Sequence, residues 1–459
     1  MKHHLAMFAL FVLFWPTGAA AEAAEPAVAT RAGALRLEKP RTGELLATAF
    51  VVGAPVEVTI EAVGCVPKLS DEYLATAWIL DAGTRRAVWS LDARERDLAP
   101  DDRYLRVASE RLRLAPGRYV LYLFGGTQWR HEAPFRSFGN VLNDIADLIN
   151  RDNPGQDPQP YLDRCFVAVS PAPGAPAGAL APLPATAGAT APGDPSAGAL
   201  LDLTRAPGDT VLARAFRLAR PTALRLRVYA EAARDSTRLH DWAWIENAAT
   251  GAPAWLLDGS ATRRAGGAHK NRLFEGEVRL PAGDYVARFV TDDTHAWGAW
   301  NAAPPVDPDA WGLALFPGAG CAPGDLQPLA LDAVRRGPGR LAVLTMARND
   351  EDRRQEFTLV QPARVRIEAL LEGPGDRMSD RAWIAESATG RKVWNLDYDV
   401  TKPAGGAAKN RSFDGEIDLP AGRYTAHVRC DDSHAFGAWN ADPPPEPWRW
   451  GMTVTRVGR

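Results

Sequence analysis

The sequence predicts an all-β protein made of three tandem antiparallel β-sandwich domains, of jelly-roll or Ig-like type, behind an export signal. One pattern of about 120 residues occurs three times along the chain of 459 residues. Within each copy, short apolar runs are separated by Gly, Pro and Asp at intervals of about 8–12 residues, which is typical of β-sandwiches. The length also favours several domains, because single cores stop growing near about 250–300 residues.

The first residues have the layout of a secretory signal peptide. Residues 5–15 are almost wholly apolar, Pro16 interrupts them, and small residues follow around Ala21. The apolar run is shorter than the roughly 20 residues that a membrane helix needs, and no later stretch is long or apolar enough to be one. We therefore expect residues 1–21 to be a signal peptide and the mature chain to be a periplasmic or extracellular protein without a membrane span.

The repeats set the domain boundaries. Residues 241–312 align with residues 380–451 without a gap, and about 40 of the 72 positions are identical. A more diverged copy lies 166 positions upstream of the second. These alignments predict domains at residues 30–169, 200–317 and 341–459. The anchors shared by all three copies, which we expect to be structural, are Trp78/Trp244/Trp383, Trp89/Trp255/Trp394 and Tyr119/Tyr285/Tyr424.

Composition predicts what lies between the domains. Residues 170–199 consist mainly of Pro, Ala and Gly, which predicts a flexible linker. A second, shorter linker is expected at residues 318–340. The best helical pattern of the mature chain is at residues 141–150, inside an insertion that only the first copy has, and it predicts one short helix.

Each copy presents its strands in the same order. Residues 56–62, 224–229 and 365–369 are rich in branched side chains and predict strands. An Ala-Trp-Ile run, a turn at Gly251 or Gly390 and a Trp-x-Leu-Asp run then predict a hairpin. A Pro-Ala-Gly-x-Tyr segment follows and predicts a tight turn that leads into another strand.

Charge and cysteine content narrow the possible functions. The net charge of −3 and the pI near 6.3 favour neither nucleic acid nor an anionic membrane surface. In an oxidising compartment the four cysteines predict disulfides, and we favour Cys65–Cys165 and Cys321–Cys430. The alternative is four separate thiols that pack as small apolar groups. Their spacing does not fit a metal site.

The Leu-Pro-Ala-Gly-x-Tyr segment, at residues 280–285 and 419–424, carries a family resemblance. Together with the export signal, it resembles the bacterial pre-peptidase C-terminal domain. The resemblance covers about 60 residues of each copy. It implies a small β-sandwich of the kind appended to secreted enzymes, with a role in binding or secretion. The acidic and histidine-containing phrase described next does not belong to that pattern, so the resemblance assigns no functional residue.

The candidate site is a ten-residue phrase that occurs twice. Residues 292–301 read Asp-Asp-Thr-His-Ala-Trp-Gly-Ala-Trp-Asn, and residues 431–440 read Asp-Asp-Ser-His-Ala-Phe-Gly-Ala-Trp-Asn. The first copy has Gly-Thr-Gln-Trp at the corresponding residues 126–129, without acid or histidine. Because the fold tolerates this loss, the phrase is a candidate for function. Lys-Asn-Arg triplets at residues 270–272 and 409–411 follow the same distribution.

Three interpretations of the phrase remain open. It can be structural, with Asp and His satisfying a turn and Trp filling one end of the sandwich. It can bind a ligand, either Ca²⁺ through carboxylates or a sugar that stacks on Trp. It can be catalytic, with an Asp–His general base, although no Ser or Cys lies in a nucleophile setting. The triplet arginines can hold an anion or pair with the nearby Glu275 or Asp414.

These considerations predict an exported, non-catalytic binding or interaction protein whose second and third domains are modules that bind carbohydrate or Ca²⁺. The alternatives are a structural or assembly protein of the cell envelope and an accessory subunit of a secreted hydrolase. Partners would be carbohydrate or an envelope protein, and not nucleic acid. The candidate ligand-binding residues are Asp292, Asp293, His295, Trp297, Trp300, Asn301, Asp431, Asp432, His434, Trp439, Asn440, Arg272 and Arg411. The candidate metal ligands are Asp292, Asp293, Asp431 and Asp432.

Overall fold

A computed structural model of the chain describes residues 34–66, 72–91, 97–99, 102–126, 157–183, 194–234, 236–335 and 339–458. The predicted signal peptide at residues 1–21 and the predicted helix at residues 141–150 lie outside these ranges. Among the described residues, no helix has both the length and the apolar character that a bilayer crossing requires. The fold is all-β, as predicted, and consists of antiparallel strands in three successive domains.

The first domain has two layers, β1-β9-β3-β7-β6 and β5-β4-β8-β2-β10, which meet at a single residue pair between β3 and β4. Its elements are β1 (Leu35–Glu38), β2 (Leu45–Val52), β3 (Val56–Cys65), β4 (Ala75–Asp81), β5 (Arg86–Ser90), β6 (Asp97–Ala99), β7 (Asp102–Leu114), β8 (Gly117–Gly125), α1 (Gln159–Leu162), β9 (Phe166–Pro171) and β10 (Leu180–Pro182).

The second domain repeats this arrangement as two separate sheets, β11-β19-β13-β17-β16 and β15-β14-β18-β12-β20. Its elements are β11 (Leu201–Thr204), β12 (Val211–Leu218), β13 (Thr222–Glu231), β14 (Trp242–Asn247), β15 (Pro253–Leu256), a 3-10 turn (Gly259–Ala261), β16 (Arg263–Arg264), β17 (Asn271–Leu280), β18 (Gly283–Val290), a 3-10 turn (Pro308–Ala310), β19 (Gly312–Pro317), β20 (Leu326–Leu329) and α2 (Leu331–Arg335).

The third domain has the sheets β21-β29-β23-β27-β26 and β22-β28-β24-β25. Its elements are β21 (Arg340–Thr345), β22 (Asp352–Leu359), β23 (Ala363–Glu372), β24 (Arg381–Glu386), β25 (Lys392–Asn395), a 3-10 turn (Tyr398–Val400), β26 (Lys402–Pro403), β27 (Asn410–Leu419), β28 (Gly422–Arg429), a 3-10 turn (Pro447–Arg449) and β29 (Gly451–Arg456).

Repeated side chains produce the repeated layers. Tyr119, Tyr285 and Tyr424 each open a strand, and each hydroxyl donates to the carbonyl four residues earlier. Each tyrosine ring also stacks on a phenylalanine of the adjacent strand, with ring centroids 5.5 Å apart in all three domains. A buried aromatic pair with a satisfied hydroxyl fixes the register of two strands, since a slip of one residue would expose both rings.

Both predicted linkers begin too early. Residues 180–182 form β10 and pair with β2, so the first domain continues into the stretch that we expected to be flexible. Residues 326–329 form β20 on the edge of the second domain's sheet, and α2 follows. Composition is misleading at these points because an edge strand accepts Pro and Ala without loss of its inner hydrogen bonds.

The domains pack head to tail through a face that the sequence did not reveal. Trp78, on the β4–β8 face of the first domain, donates its Nε1–H to the Val306 carbonyl of the second domain at 2.9 Å. The equivalent Trp244 lies with its ring 5.8 Å from Trp448 of the third domain. These tryptophans belong to the core of the following domain, so their structural role is at the domain junction. The third-domain counterpart, Trp383, is half-buried and stacks on His427.

An ion pair anchors the first junction. Arg85 donates from Nε to Asp307 Oδ2 at 2.8 Å and also from Nη2 to Oδ1, and the Asp307 carboxylate is fully buried. Although burial opposes its charge, hydrogen bonding to Asp307 leaves the pKa of Arg85 raised. Removing one partner of a buried pair leaves the other charge uncompensated, which costs about 3–5 kcal/mol.

We therefore expect Asp307→Ala to lower the unfolding free energy by about 3–5 kcal/mol, measured by denaturant titration. Asp284→Ala is the control, because its partner Arg217 is solvent-exposed and that pair contributes less than about 1 kcal/mol. Equal effects of the two variants would mean that the junction does not depend on the Arg85–Asp307 pair.

Candidate functional site

The histidine of each phrase lies in a buried cluster, not on an exposed tip. His295 and His434 are both fully buried. His295 has its ring 4.9 Å from Trp300 and 5.4 Å from Trp311. His434 is held the same way, 5.1 Å from Trp439 and 5.6 Å from Trp450. Edge-to-face aromatic packing of this kind contributes to stability beyond area burial alone.

Hydrogen bonds define the protonation of the histidine. His434 Nε2 lies 2.6 Å from Asn410 Oδ1, while Asn410 Nδ2 donates to the carbonyls of Gly405 and Asp442. Since the amide nitrogen is already used, the amide oxygen accepts and His434 Nε2 carries the proton. In the second domain, His295 Nε2 is 2.7 Å from Asn271 Oδ1. Both histidines therefore face asparagines of the Lys-Asn-Arg triplets and not the aspartates of their own phrase.

Burial also determines the charge of the histidine. Burial, together with the nearby Lys409 ammonium, lowers the pKa of His434 to about 4. The pKa of His295 is well below its ordinary value for the same two causes, burial and Lys270. Both rings are thus neutral near pH 7, which fits a scaffold role for the histidine.

His434→Ala should therefore lower the unfolding free energy by about 2–4 kcal/mol, since it opens a cavity and leaves Asn410 Oδ1 without its donor. Asp432, two residues away and exposed, is the matched control. Its replacement by Ala should change stability by less than about 0.5 kcal/mol in the same denaturant titration. A small loss for His434→Ala would contradict the structural assignment of the histidine.

The His434 pKa also predicts a pH dependence. The folded protein binds this proton less tightly than the unfolded chain does, so the stabilisation is present above pH 6.5 and is lost as the pH falls towards 4. The loss amounts to about 3 kcal/mol. We expect the stability difference between the wild type and His434→Gln to shrink by this amount between pH 7 and pH 4. Because both proteins have the same carboxylates, their pH-dependent contributions to stability cancel in this comparison. A stability difference that stays constant between pH 7 and pH 4 would contradict the assignment.

Three carboxylates meet beside the histidine in the second domain. Glu231 ends β13, Asp241 precedes β14, and Asp292 follows β18, so the fold brings together three chain segments. One oxygen of each lies within 4.8 Å of the others. Asp241 Oδ2 accepts from the Glu231 backbone N–H at 2.9 Å, and its Oδ1 lies 3.4 Å from the Asp292 nitrogen. Lys270 Nζ lies 3.0 Å from Glu231 Oε1 and partly balances the charge.

The third domain repeats the cluster with Glu372, Asp380 and Asp431, again within 4.8 Å of one another. Asp380 accepts backbone N–H bonds from both Glu372 and Asp431 at 3.0 Å. Lys409 Nζ is 2.9 Å from Glu372 Oε1. Glu372 Oε2 is buried without any hydrogen-bond partner in this structure. Its counterpart in the second domain, Glu231 Oε2, accepts from the Thr294 hydroxyl at 3.2 Å.

The electrostatics of both clusters favour an additional positive charge. Burial, together with the neighbouring Asp431 and Glu372 carboxylates, raises the pKa of Asp380 to about 7 although its backbone hydrogen bonds oppose the shift. Burial and the same kind of crowding hold the pKa of Asp241 well above its usual range. Burial likewise raises the pKa of Glu231, although Lys270 opposes this. Carboxylates in such an environment take up protons or a cation.

The predicted site residues separate into several groups. Of the predicted metal ligands, Asp292 and Asp431 lie in the clusters, whereas Asp293 and Asp432 are exposed and do not. Trp300 is buried against His295 and Trp311, so it offers no free face for a sugar.

The remaining aromatic and amide residues of the phrases also contact their own domain. Trp297 is half-buried and donates to Asp309 at 3.1 Å. Trp439 is half-buried with its ring 4.9 Å from Trp450. Asn301 and Asn440 accept hydrogen bonds from Lys270 and Lys409, respectively.

The predicted anion-binding arginines hold their own domain together. Arg272 donates to the Thr262 hydroxyl at 2.9 Å and to the Thr262 carbonyl at 3.0 Å. Arg411 makes the same two bonds to Thr401. Neither arginine pairs with the acids suggested by sequence, since Glu275 binds Arg263 and Asp414 binds Arg366. Two donors of each arginine are thus used within its own domain, and the anion-site hypothesis for these residues stays a prediction.

Sequence reasoning missed four of the six carboxylates: Glu231, Asp241, Glu372 and Asp380. A signal was present, because in the alignment with the first domain Glu231, Asp241 and Asp292 correspond to Cys65, Ala75 and Gly126. All three acids are thus replaced together in the copy that lacks the phrase. Residues that are lost together are candidates for one shared site.

The predicted disulfides are absent, and all four cysteines are free thiols. Cys65 and Cys165 lie in one small buried cluster of the first domain. Cys321 is partly exposed in the second domain, whereas Cys430 is buried in the core of the third. Burial raises the pKa values of the Cys65, Cys165 and Cys430 thiols, so these residues behave as small apolar groups.

No protein-family model matches the chain, and comparison with curated proteins finds no match either. Among solved structures, the chain is similar to tandem CBM51 modules of the family 98 glycoside hydrolase from Streptococcus pneumoniae, with 10% identity and a TM-score of 0.15. The match covers 54% of this chain and 80% of the other. A TM-score this low carries no argument about function. The resemblance to the pre-peptidase C-terminal domain stays a prediction.

Proposed function

We propose that this chain is a non-catalytic binding protein whose second and third domains each bind one Ca²⁺ ion. The observation that carries the proposal is the carboxylate cluster of Glu372, Asp380 and Asp431. There a buried carboxylate oxygen, Glu372 Oε2, lacks a partner beside two further acids. An unpaired buried carboxylate oxygen costs several kcal/mol unless a cation or a proton satisfies it.

Charge balance supports a divalent ion. Each cluster has three carboxylates and one lysine, Lys270 or Lys409, so two negative charges remain when all acids are ionised. One divalent cation neutralises this excess. A bound cation would also displace the protons that the raised pKa values of Asp241 and Asp380 hold near neutral pH.

The ligand chemistry favours Ca²⁺ over other divalent ions. The described groups are all hard oxygen donors, whereas Zn²⁺ prefers imidazole nitrogen and thiolate. Mg²⁺ requires near-ideal octahedral geometry and retains several waters. Ca²⁺ accepts irregular sets of six to eight oxygens and binds carboxylates supplied by separate segments. Extracellular modules bind Ca²⁺ with modest affinity, and the predicted export of this chain would place its sites in the same environment.

The position of the cluster indicates what the cation would do. Glu231 ends a strand of one sheet, while Asp241 and Asp292 adjoin strands of the other sheet. An ion there would join the two layers of each sandwich at one end. All three domains have a direct backbone contact at this point, but the first domain has Cys65 and Ala75 in place of the two strand-end acids. The proposed role is thus to hold the binding modules in one rigid conformation.

The catalytic alternative has less support. A general base of the Asp–His type needs a carboxylate on the imidazole, but His295 and His434 bond to Asn271 and Asn410. His240 Nδ1 approaches Asp292 Oδ2 at 4.0 Å, and the third domain has Ser379 at the matching position. An arrangement found in one of two similar sites is weak support for shared catalysis.

Ca²⁺ should therefore raise the melting temperature of the mature chain, and EDTA should reverse the change. At a Ca²⁺ concentration 100 times the dissociation constant, the stabilisation is about 2.7 kcal/mol for each domain that binds. Asp380→Asn should abolish the response of the third domain, and Asp241→Asn that of the second, because each removes the central ligand. Differential scanning calorimetry measures the unfolding transitions of the second and third domains in each variant.

Asp293→Asn and Asp432→Asn are the matched controls, since they remove neighbouring exposed acids outside the clusters. Both should keep the full Ca²⁺ response. No stabilisation at millimolar Ca²⁺ would refute the proposal. Loss of the response in the control variants, with retention in Asp241→Asn and Asp380→Asn, would relocate the site to the exposed acids.

A further inference from the structure

One sheet edge of the third domain lacks a strand that the first two domains have. In the first domain β10 pairs with β2, and in the second domain β20 pairs with β12. Both strands come after the last core strand of their domain and close the outer edge of the same sheet. In the third domain the equivalent edge belongs to β22. This strand pairs with β28 on one side and with no strand of the described residues on the other.

The two added strands belong to one sequence motif. Residues 178–183 read Gly-Ala-Leu-Ala-Pro-Leu and residues 324–329 read Gly-Asp-Leu-Gln-Pro-Leu, so both follow the pattern Gly-x-Leu-x-Pro-Leu. We call these two stretches the edge segments. The glycine has a positive φ in both, 77° at Gly178 and 90° at Gly324, which favours glycine over other residues. The recurrence of the motif indicates which sequence this edge of the sandwich binds.

The first leucine anchors each edge segment. Leu180 is 3% exposed and belongs to the core of the first domain, and Leu326 is 9% exposed and belongs to the core of the second. Burial of a leucine side chain contributes roughly 1.5–3 kcal/mol. The proline two residues later lies opposite Phe50 or Phe216. Proline suits an edge strand, since its missing N–H can be on the side that faces solvent.

The backbone of β22 has hydrogen-bonding groups at the open edge. In the second domain the Ala219 N–H donates to the carbonyl of Asp325, at 3.1 Å. The third-domain counterpart of Ala219 is Val360, because β12 and β22 align through the phenylalanine that stacks on the repeated tyrosine. Backbone groups alternate between the two edges of a strand, so Thr358 and Glu356 also direct theirs to the open edge. Val360 itself is 85% exposed.

A groove of about 870 Å³ continues from this edge, and Gln361 and Glu416 line it. Their counterparts in the second domain are Arg220 and Glu277. Both of these side chains accept or donate hydrogen bonds to residues 319–325, the stretch that leads into β20. The groove of the third domain thus lies where the second domain places a segment of its own.

One position of the motif should differ in a partner of the third domain. The last leucine of the second edge segment, Leu329, lies opposite Ala215. The residue of β22 that corresponds to Ala215 is Glu356, which is exposed and pairs with Arg423. Opposite charges on directly facing residues of neighbouring strands are stabilising. A lysine or arginine therefore suits this position better than leucine.

We propose that the outer edge of β22 binds an extended segment of another polypeptide with the sequence Gly-x-Leu-x-Pro followed by Lys or Arg. The segment adds an antiparallel strand to the sheet. In this mode of recognition, main-chain hydrogen bonds supply affinity and pockets for alternate side chains supply specificity. The leucine packs beside Leu419, which lines the groove and whose counterpart Leu280 shares a core with Leu326.

The proposed strand site does not depend on Ca²⁺ binding. The groove lies at the start of β23 (Ala363–Glu372), whereas the carboxylate cluster is at the end of that strand. The two edge segments of this chain do not fill the site, since each is already paired within its own domain.

The test is fluorescence anisotropy of labelled peptides titrated with the protein. The probe is a peptide of residues 322–330 that carries Leu329→Lys, and it should bind with a dissociation constant below about 200 μM. The peptide with Leu329 unchanged should bind about threefold more weakly, because it lacks the contact with Glu356. Addition of Leu326→Asp to the probe should weaken binding at least about tenfold, because a charge would replace the buried leucine.

Thr358→Pro removes a backbone N–H from the open edge and leaves the bonds to β28, so affinity should fall about tenfold. Arg354→Pro is the matched control. It makes the same change on the same edge of β22, but outside the stretch that corresponds to the β20 contact. Arg354→Pro should bind the probe like the wild type, and the melting temperatures of the two variants should agree.

A gain of affinity provides a test that misfolding cannot imitate. Arg220 holds Asp325 through two hydrogen bonds, at 2.8 and 2.7 Å, and Gln361 occupies the corresponding position of the third domain. Gln361→Arg should therefore bind the probe about threefold more tightly than the wild type does. A probe that also carries Asp325→Asn should show no such gain.

The proposal is overturned if the probe does not bind at about 1 mM protein, or if Leu326→Asp leaves its affinity unchanged. It is also overturned if Thr358→Pro binds the probe like the wild type, since the peptide would then lie elsewhere. Sedimentation velocity covers the remaining occupant, a second copy of this chain. Dimers that Thr358→Pro abolishes, together with no binding of the probe, would identify a second copy at this edge and overturn the proposal.

Discussion

A buried aspartate organises one end of each of the two later domains. Asp380 accepts hydrogen bonds from the backbone of Glu372 and of Asp431, the two residues that supply the other carboxylates of its cluster. The Asp380 side chain thus holds in place the two residues whose carboxylates repel its own negative charge. In a low-dielectric environment this arrangement is unfavourable for three ionised acids, which is why the Asp380 pKa rises. The cluster needs positive charge, and Lys409 supplies only part of it.

The first domain differs from the two later domains at this end of the sandwich. In the first domain, strands β3 and β4 pair directly through Cys65 and Ala75, and no acid separates them. In the later domains the backbone contact persists, from His240 to the Glu231 carbonyl and from Ser379 to the Glu372 carbonyl, and a carboxylate adds further hydrogen bonds beside it. The histidine–tryptophan cluster next to it appears in the same two domains. The phrase is therefore a support for the carboxylate end, and its polar side chains are used mostly within the domain.

The sequence predicted the fold because the strand pattern and the turns are local properties, repeated three times. It singled out Asp292 and Asp431 for a similar reason, since they stand in an acidic run, and both lie in the carboxylate clusters. Glu231 and Asp241 were missed because each is a single acid at a strand end, and only the pairing of β13, β14 and β18 brings them together. The exposure of Trp300 was also misjudged, because an aromatic-rich loop has the same composition whether it covers a hydrophobic core or binds a ligand. The sequence could not predict that residues such as Trp78 lie at a junction, because their burial depends on another domain.

The junctions show how small differences between repeats create different surfaces. The face that carries Trp78 and Trp244 is used in the same way twice, but the second junction has Gly251 in place of Arg85 and contains a cavity of about 500 Å³. A duplicated scaffold can thus acquire a cavity without any change in topology. The carboxylate clusters and the junction cavity are separate features of the same repeated fold.

The central claim is that the later domains, and not the first, are built to hold a divalent cation. Equilibrium dialysis of the protein against radioactive calcium at neutral pH tests it most directly, because it counts bound ions without reference to stability. Two ions per chain in the wild type, and one in a chain carrying Asp380→Asn, is the predicted result. No bound calcium, or an unchanged count in that variant, would contradict the account.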